Sequence, residues 1–216
     1  MRRIKGLVLG SWCLASLCLG AELQVTPILQ EIPSGETTAV YRVINTGEQS
    51  VTVQVTALAW QQENGVRTTS NASNIQINPP LMTLSPDQEE WVRVVLTTER
   101  SDKEQAFRVF FTQVPETAET LHPGVRTLIR FDTPLFFQAE EPQTDLQWAL
   151  HQNPDGWHLQ VRNTGTRFAN LTRLVMETDG GRRLLVSEGV QYILPGTSHS
   201  WWLELTDDEA LGGLSL

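Results

Sequence analysis

The chain has 216 residues, enough for one or two domains and for a core that needs neither disulfide nor metal. Hydrophobic residues make up 40% and charged residues 19%, with 15 Gly and 11 Pro, a globular composition and neither a disordered nor a collagenous one. Its 16 basic and 25 acidic side chains leave a formal charge of −9. That balance excludes nonspecific nucleic-acid binding, which needs Lys and Arg to displace counterions from phosphate.

The first twenty residues differ from the rest. Arg2, Arg3 and Lys5 form a cationic n-region, and Leu7 to Leu19 is mostly apolar. That stretch has the length of a secretory h-region and is too short to span a bilayer. Cys18 and Gly20 give a small-x-small pattern, so a signal peptide over residues 1–20 and a cut near Gly20 or Ala21 are expected. An uncleaved anchor is the alternative. A lipoprotein box before Cys18 is disfavoured by the bulk of Leu17. No later stretch is long enough to cross a membrane, so no stable membrane insertion is expected. Losing residues 1–20 removes 3 of the 16 basic groups and no acid, leaving 13 against 25, a charge of −12. Lys103 is then the sole lysine, so an anion site must rest mainly on arginine. Cys13 and Cys18 leave with the signal, and the mature chain has no disulfide to form.

Beyond it, period-two alternation in short Val-, Ile-, Thr-, Phe- and Trp-rich runs reads as β throughout. Strands are predicted over Leu23–Ile32, Thr37–Asn45, Val51–Gln61, Asn74–Asn78, Trp91–Thr98, Gln105–Val114 and Val125–Phe137. Turn residues separate them, as in Pro33-Ser34-Gly35, Asn45-Thr46-Gly47, Glu63-Asn64-Gly65 and His122-Pro123-Gly124. This predicts an immunoglobulin-like sandwich over residues 22–138, without the cysteine pair of antibody domains. Polar, proline-containing 139–143 reads as a linker. The β pattern resumes over Leu146–His151, Trp157–Asn163, Ala169–Glu177, Leu184–Val186, Gln191–Leu194 and Ser200–Leu205. Asn163-Thr164-Gly165 repeats the Asn45-Thr46-Gly47 turn, which suggests a second, short domain of related design over 144–216.

Enzyme signatures are absent. His122, His151, His158 and His199 lack metal-ligand spacing, and there is no Gly-x-Ser-x-Gly elbow, phosphate loop or dinucleotide fingerprint. Gly196-Thr197-Ser198-His199-Ser200 reads as a polar turn entering a strand. Glu89-Glu90 and Asp207-Asp208-Glu209 read as solvated turns. No catalytic residue, cofactor or metal is expected. Two other features carry information. Val125–Phe137 is a long strand with Val125, Thr127, Ile129 and Phe131 on one face and Arg126, Leu128, Arg130 and Asp132 on the other. At an edge it is an aggregation hazard unless pairing with a partner is its purpose; otherwise it is the last core strand. Arg108 lies within Phe107-Arg108-Val109-Phe110-Phe111, where an arginine is costly unless paired with an anion. An internal salt bridge or a snorkelling side chain explains it equally well. Arg108 and Arg130 fall on neighbouring strands, where together they are candidates to hold a carboxylate.

The chain resembles the periplasmic chaperones of the chaperone–usher pilus pathway. Its carrying motifs are Tyr41-Arg42-Val43-Ile44-Asn45-Thr46-Gly47, Ala59-Trp60, Asn78-Pro79-Pro80 with Leu84-Ser85-Pro86, Gln105-Ala106-Phe107-Arg108-Val109 with Val114-Pro115, and Arg130-Phe131-Asp132-Thr133-Pro134-Leu135-Phe136. Leu159-Gln160-Val161-Arg162-Asn163-Thr164-Gly165 and Tyr192-Ile193-Leu194-Pro195-Gly196 fit in the second domain. The arginines of the Phe107 and Pro134 segments make it more similar to the archaic, spore-coat-U-associated branch than to the P and type 1 pilus branch. The resemblance implies an all-β fold of two immunoglobulin-like domains in an L or boomerang, a periplasmic location, pilus or fimbrial subunits and an outer-membrane usher as partners, and no bond chemistry. It implies a lent strand with Val125, Thr127, Ile129 and Phe131 as donor side chains, since an incomplete subunit sheet leaves backbone groups open. It also implies basic residues that anchor the subunit's C-terminal carboxylate. The first strand, Val25-Thr26-Pro27-Ile28-Leu29-Gln30, has no base and the last no lysine. The expected anchors are therefore Arg108 and Arg130, with Arg126 next. Glu104 fits the family's hinge acid, with Gln138 where its arginine partner is usual. The last one or two strands of the second domain are not found after Leu205. A secreted adhesion or carbohydrate-binding β-sandwich is the other reading, with Trp157 and Trp201-Trp202 as its aromatics. Adjacent Trp residues face opposite sides of a strand, so at least one of the pair is expected in the core.

Overall fold

In the computed structural model the described residues are 23–63, 65–115, 128–206 and 214–215. The predicted signal peptide, Val125, Arg126 and Thr127 lie outside them.

The first part of the chain forms β1 (Leu23–Thr26), β2 (Gln30–Ile32), β3 (Thr38–Asn45), β4 (Val51–Glu63), β5 (Val66–Asn71), β6 (Ile75–Asn78), β7 (Leu81–Leu84), β8 (Glu89–Leu96), β9 (Gln105–Val114) and β10 (Arg130–Phe137). One sheet has the order β1-β3-β8-β6 and the other β2-β10-β9-β4-β5, with β7 beside β4. The predicted strand Leu23–Ile32 is broken in two. Pro27 has no N–H for a ladder, and the chain changes sheets there: β1 pairs with β3, β2 with β10. Strands β5 and β7 were not predicted. Every residue of β5 is exposed, so its extended form comes from pairing with β4 and leaves no apolar period to read.

The sandwich interior is filled by alternate residues of both sheets. Val25, Ala39, Tyr41, Val43, Val92 and Val94 from one face Val53, Val55, Phe107, Val109, Phe111, Leu135 and Phe137 from the other. Tyr41 meets Phe111 edge-on, with ring centroids 5.2 Å apart.

The second part forms β11 (Leu146–Asn153), β12 (Gly156–Asn163), β13 (Ala169–Thr178), β14 (Arg183–Ile193), β15 (Ser198–Leu203) and β16 (Leu214–Ser215). Its sheets are β11-β12-β15 and β14-β13-β16. Leu159, Leu174, Met176 and Leu203 pack with Val161, Ala169 and Ile193 nearby, while Trp148, Trp157 and Trp201 are only partly covered. Trp201 points inward and Trp202 is 57% exposed, the split expected of neighbours on a strand.

The repeated Asn-Thr-Gly turn is one structure used twice. Asn45 donates from Nδ2 to the Gln49 and Leu84 carbonyls at 2.7 and 3.0 Å, and its Oδ1 accepts the Gly47 N–H at 3.0 Å. Asn163 repeats this with the Arg167 and Ile193 carbonyls at 2.8 and 2.9 Å and the Gly165 N–H at 3.0 Å. Both asparagines are buried. Replacing either with alanine removes three hydrogen bonds, one of them to a buried carbonyl, that of Leu84 or of Ile193, a loss of about 2–4 kcal/mol. Asn45→Ala is expected to lower the unfolding midpoint of the first domain, and Asn163→Ala that of the second. Chemical denaturation followed by tryptophan fluorescence measures both, and a wild-type midpoint in either variant would sink this account of the turn.

Candidate functional site

Strands β9 and β10 each bury both faces. Their odd positions enter the first core, and their even positions, Ala106, Arg108, Phe110 and Phe136 among them, face outward. The outward face continues onto β4, where Leu58 lies opposite Arg108, and onto β5, where Arg67 lies opposite Gln62. The second domain covers one end of this face. There Trp60, Phe136, Phe168 and Leu194 form a buried cluster with Leu29, Ala106 and Tyr192 against it. Phe136 stacks on Phe168 with centroids 4.1 Å apart.

Where that cover stops, charge begins. The Arg108 side chain is only 11% exposed, and its Nε lies 2.7 Å from Oδ1 of Asp132. Its guanidinium carbon sits 4.8 Å from the centre of the Trp60 ring. Arg67 reaches the other oxygen, Nη1 to Oδ2, at 2.9 Å. Arg130 lies over Phe110, 4.0 Å from the ring centre. Two arginines thus share a single aspartate, and Arg130 lies two positions along β10 from it over Phe110, so the three arginines and one carboxylate leave a local excess of positive charge. Burial works to raise the Asp132 carboxyl, but hydrogen bonds and charge from Arg108, then Arg67, outweigh it and hold it below the ordinary value.

The internal salt bridge that the sequence left open for Arg108 is therefore present. Arg108 and Arg130 share a face of adjacent strands, but Arg108 stands opposite Pro134 and Arg130 opposite Thr112. Four positions separate them, about 13 Å along the strand, with Asp132 between. Arg67 and Asp132 escaped sequence reading. Arg67 is on a strand without apolar period, and Asp132 is 24 residues from Arg108.

Of the donor-strand residues, Ile129 and Phe131 are described and half-buried. The Ile129 carbonyl accepts the Gln113 N–H at 3.0 Å, and Phe131 packs against the rim of the first core. Val125 and Thr127, and the candidate anchor Arg126, lie outside the described residues.

Glu104 is buried at the joint between the domains. Its Oε1 accepts the Phe168 N–H at 3.0 Å, and its own N–H donates to the Thr166 carbonyl at 2.9 Å. The ion pair across the joint uses other residues. Arg167 Nη2 lies 2.6 Å from Oε2 of Glu31, and Gln138 donates to that oxygen at 2.9 Å. Burial pushes the Glu104 carboxyl up to about 7. The Phe168 hydrogen bond opposes this, the Glu31 charge adds to it, and the Arg167 charge opposes it. Among the described residues no three His, Cys, Asp or Glu side chains are grouped to hold a metal ion, and no helix is long and apolar enough to cross a membrane.

Residues 22–143 match the family model for the pili and flagellar-assembly chaperones, PapD N-terminal domain. The chain belongs to this family. No curated protein matches it. Its fold is similar to that of the CsuC–CsuE chaperone–tip adhesion subunit complex from archaic Csu pili of Acinetobacter baumannii, with a TM-score of 0.69, 20% identity, and 86% of this chain and 89% of that one covered. The E. coli chaperone DraB gives 0.63 at 20% identity, covering 90% and 93%. The Salmonella enterica SafA pilin–SafB chaperone structure gives 0.60 at 20% identity, covering 83% and 82%. The shared fold is a pair of immunoglobulin-like sandwiches.

The shift of Glu104 fixes the sign of a pH effect at the chaperone's domain joint. The folded-state value, about 7, lies above the ordinary 4.5, so Glu104 contributes stability that is complete below 4.5 and lost as pH rises through 7. The wild-type Tm relative to Glu104→Gln is expected to fall between about pH 5 and about pH 8. Burial lowers the His199 pKa, which gives the opposite slope in both proteins and cancels in the difference. A constant Tm difference, measured by calorimetry, counts against the shifted carboxyl.

Proposed function

We propose that this chain is a periplasmic chaperone that binds pilus or fimbrial subunits, completes them with a lent β-strand, and delivers them to an outer-membrane usher. Family membership supports the class. The Acinetobacter baumannii and Salmonella enterica relatives are described with a tip subunit and a pilin bound. The signal-like residues 1–20 support the compartment.

The observation that carries the reading is the cationic cluster on the outward face of β9, β10 and β5, in the cleft that this face forms beside the second domain. A chain of strongly negative mature charge pairs Arg67 and Arg108 with one aspartate and sets Arg130 over Phe110 on the same sheet face, at the edge of an apolar joint. Arg108 and Arg130 are the proposed anchors for a subunit's terminal carboxylate, with Arg126 as the next candidate. Arg67 joins the set, and Asp132 holds Arg67 and Arg108 in fixed orientation. A second carboxylate docked there finds guanidinium groups already ordered, so little side-chain entropy is lost on binding. Val125, Thr127, Ile129 and Phe131 are the proposed donor side chains. The odd face of β10 is the core face of its sheet, so a strand continuing from it presents that same face to a subunit groove.

A charge-assisted hydrogen bond is worth about 1.5–3 kcal/mol, so Arg108→Ala is expected to weaken subunit capture about tenfold or more. Pull-down of a co-expressed subunit measures this, with circular dichroism to show that the variant is folded. Capture at the wild-type level by folded Arg108→Ala removes Arg108 from the anchor set. Ile129→Asp is expected to abolish capture and shift the melt of the free chaperone by only a few degrees, about 1 kcal/mol or less. If that variant unfolds the free protein, Ile129 is core and the donor register is different.

A further inference from the structure

The β4–β5 hairpin overshoots its own sheet. Strand β9 accompanies β4 only as far as Ala59, and Trp60–Glu63 are held by β5 alone. The overhang reaches the second domain. Gln62 donates from Nε2 to the Tyr192 carbonyl at 2.7 Å. Its Oε1 accepts the Leu194 N–H at 2.8 Å and the Thr197 hydroxyl at 3.1 Å. Both ends of one amide are thus engaged with the end of β14 and the turn into β15.

That turn is closed by hydrogen bonds. The single Thr197 hydroxyl proton is shared between Gln62 Oε1 and the nearer Leu194 carbonyl at 2.8 Å, the Gly196 N–H donates to the Asn163 carbonyl at 2.8 Å, and the Asn163 N–H to the Thr197 carbonyl at 3.0 Å. Gln62 therefore grips the second domain through the asparagine turn that braces it. At the hairpin tip Gly65 has φ +77°, and a Cβ there would fall 1.7 Å from Nδ1 of His199. The tip lies flush against the second domain, and only glycine fits.

On the far side of the same sheet, Glu31 of β2 stands beside Phe136 and binds Arg167. The order β2-β10-β9-β4 puts three strand spacings, about 14 Å, between the two fastenings. The aromatic cluster lies between them. Ring packing holds the domains together but is nearly indifferent to small rolling motions, whereas hydrogen bonds have a preferred direction.

We propose that Gln62 is the positioning residue that fixes the angle between the two domains, and with it the direction in which the cleft arginines and lent strand meet a subunit. This rests on the chaperone reading, but the angle itself is measured without a subunit. Cys13 and Cys18 are the chain's only cysteines and precede Ala21. The mature protein can therefore carry nitroxides at Gln76→Cys and Thr172→Cys, both exposed positions, for pulsed electron paramagnetic resonance.

The wild type is expected to give one narrow distance distribution. Gln62→Ala should broaden or shift it and weaken subunit capture by about tenfold, with the secondary-structure spectrum unchanged. Gln62→Glu adds a reversible arm. Protonated, at about pH 3.5, below the ordinary glutamate value of about 4.3, its carboxyl can donate to the Tyr192 carbonyl and restore the narrow distribution. Ionised, at about pH 8, it faces that carbonyl with a second acceptor, and the distribution should broaden. Glu63 and Arg67 on the hairpin, Glu104, which with Gln62, Leu194 and Thr197 lines one pocket, Lys103 against Gly196, and His199 at the tip are the titratable or charged groups nearby, so labelled wild type at both values is the control. A distribution in Gln62→Ala matching wild type overturns the proposal. So does a narrow one in Gln62→Glu at about pH 8. If wild type fails to capture subunits while Gln62→Ala broadens the distribution, the chaperone reading fails and the clamp stands.

Discussion

A strand can bury both of its faces only where something covers each of them. Strand β10 is buried without interruption from Thr133 to Phe137, and no single sandwich provides that. Its odd residues are covered by the opposite sheet of the first domain. Its outward Phe136 is covered by Phe168 and Tyr192 of the second. The joint between the domains is therefore part of the reason β10 holds its place. The cleft begins where that cover ends, one turn of the pleat away, at Asp132. Site and joint are neighbouring stretches of a single sheet face, so a shift of one domain moves the walls of the other's cleft.

The charge on that face follows from the same burial. Arg108 sits between Trp60 and Asp132 with little exposure, and an arginine so placed requires an anion. Asp132 meets the requirement locally and remains shared with Arg67. Arg130 has an aromatic ring beneath it and, among the ion pairs of the described residues, no carboxylate. The protein thus keeps Arg108 neutralised in the free state without using up the positive field of the cluster. The cluster therefore holds an excess positive charge in place in the free protein.

Much of this was legible in the sequence because it is local. The alternation of β3, β8 and β9, the twin Asn-Thr-Gly turns, the opposed Trp201 and Trp202, and the oddity of Arg108 all lie within a few residues. What escaped is what distance hides. Asp132 is 24 residues from Arg108, Gln62 is 130 from Tyr192, and Glu31 is 136 from Arg167. Nothing in period or composition couples such positions. Strand β5 escaped for a different reason. With six exposed residues it has no buried face to mark it, and the hairpin that carries Gln62 looked like ordinary turn chemistry. The break at Pro27 was visible as a residue but not as a change of sheet, because a proline marks only a missing donor.

The two fastenings of the joint also differ in kind. Arg167 is 40% and Glu31 25% exposed, so their attraction is screened by salt and contributes little as an isolated pair. Glu104 changes charge near neutrality and so ties the joint to pH. Gln62 carries no charge, and its three hydrogen bonds run to groups that do not titrate near neutrality. Ionic strength therefore acts on the Glu31–Arg167 side of the joint, while Glu104 and His199 bring titrating groups close to the Gln62 side as well. The part-exposed Glu31–Arg167 pair is the contact of the joint that salt screens, whereas the uncharged Gln62 amide and the Trp60, Phe136, Phe168 and Leu194 cluster carry no ionic component to screen.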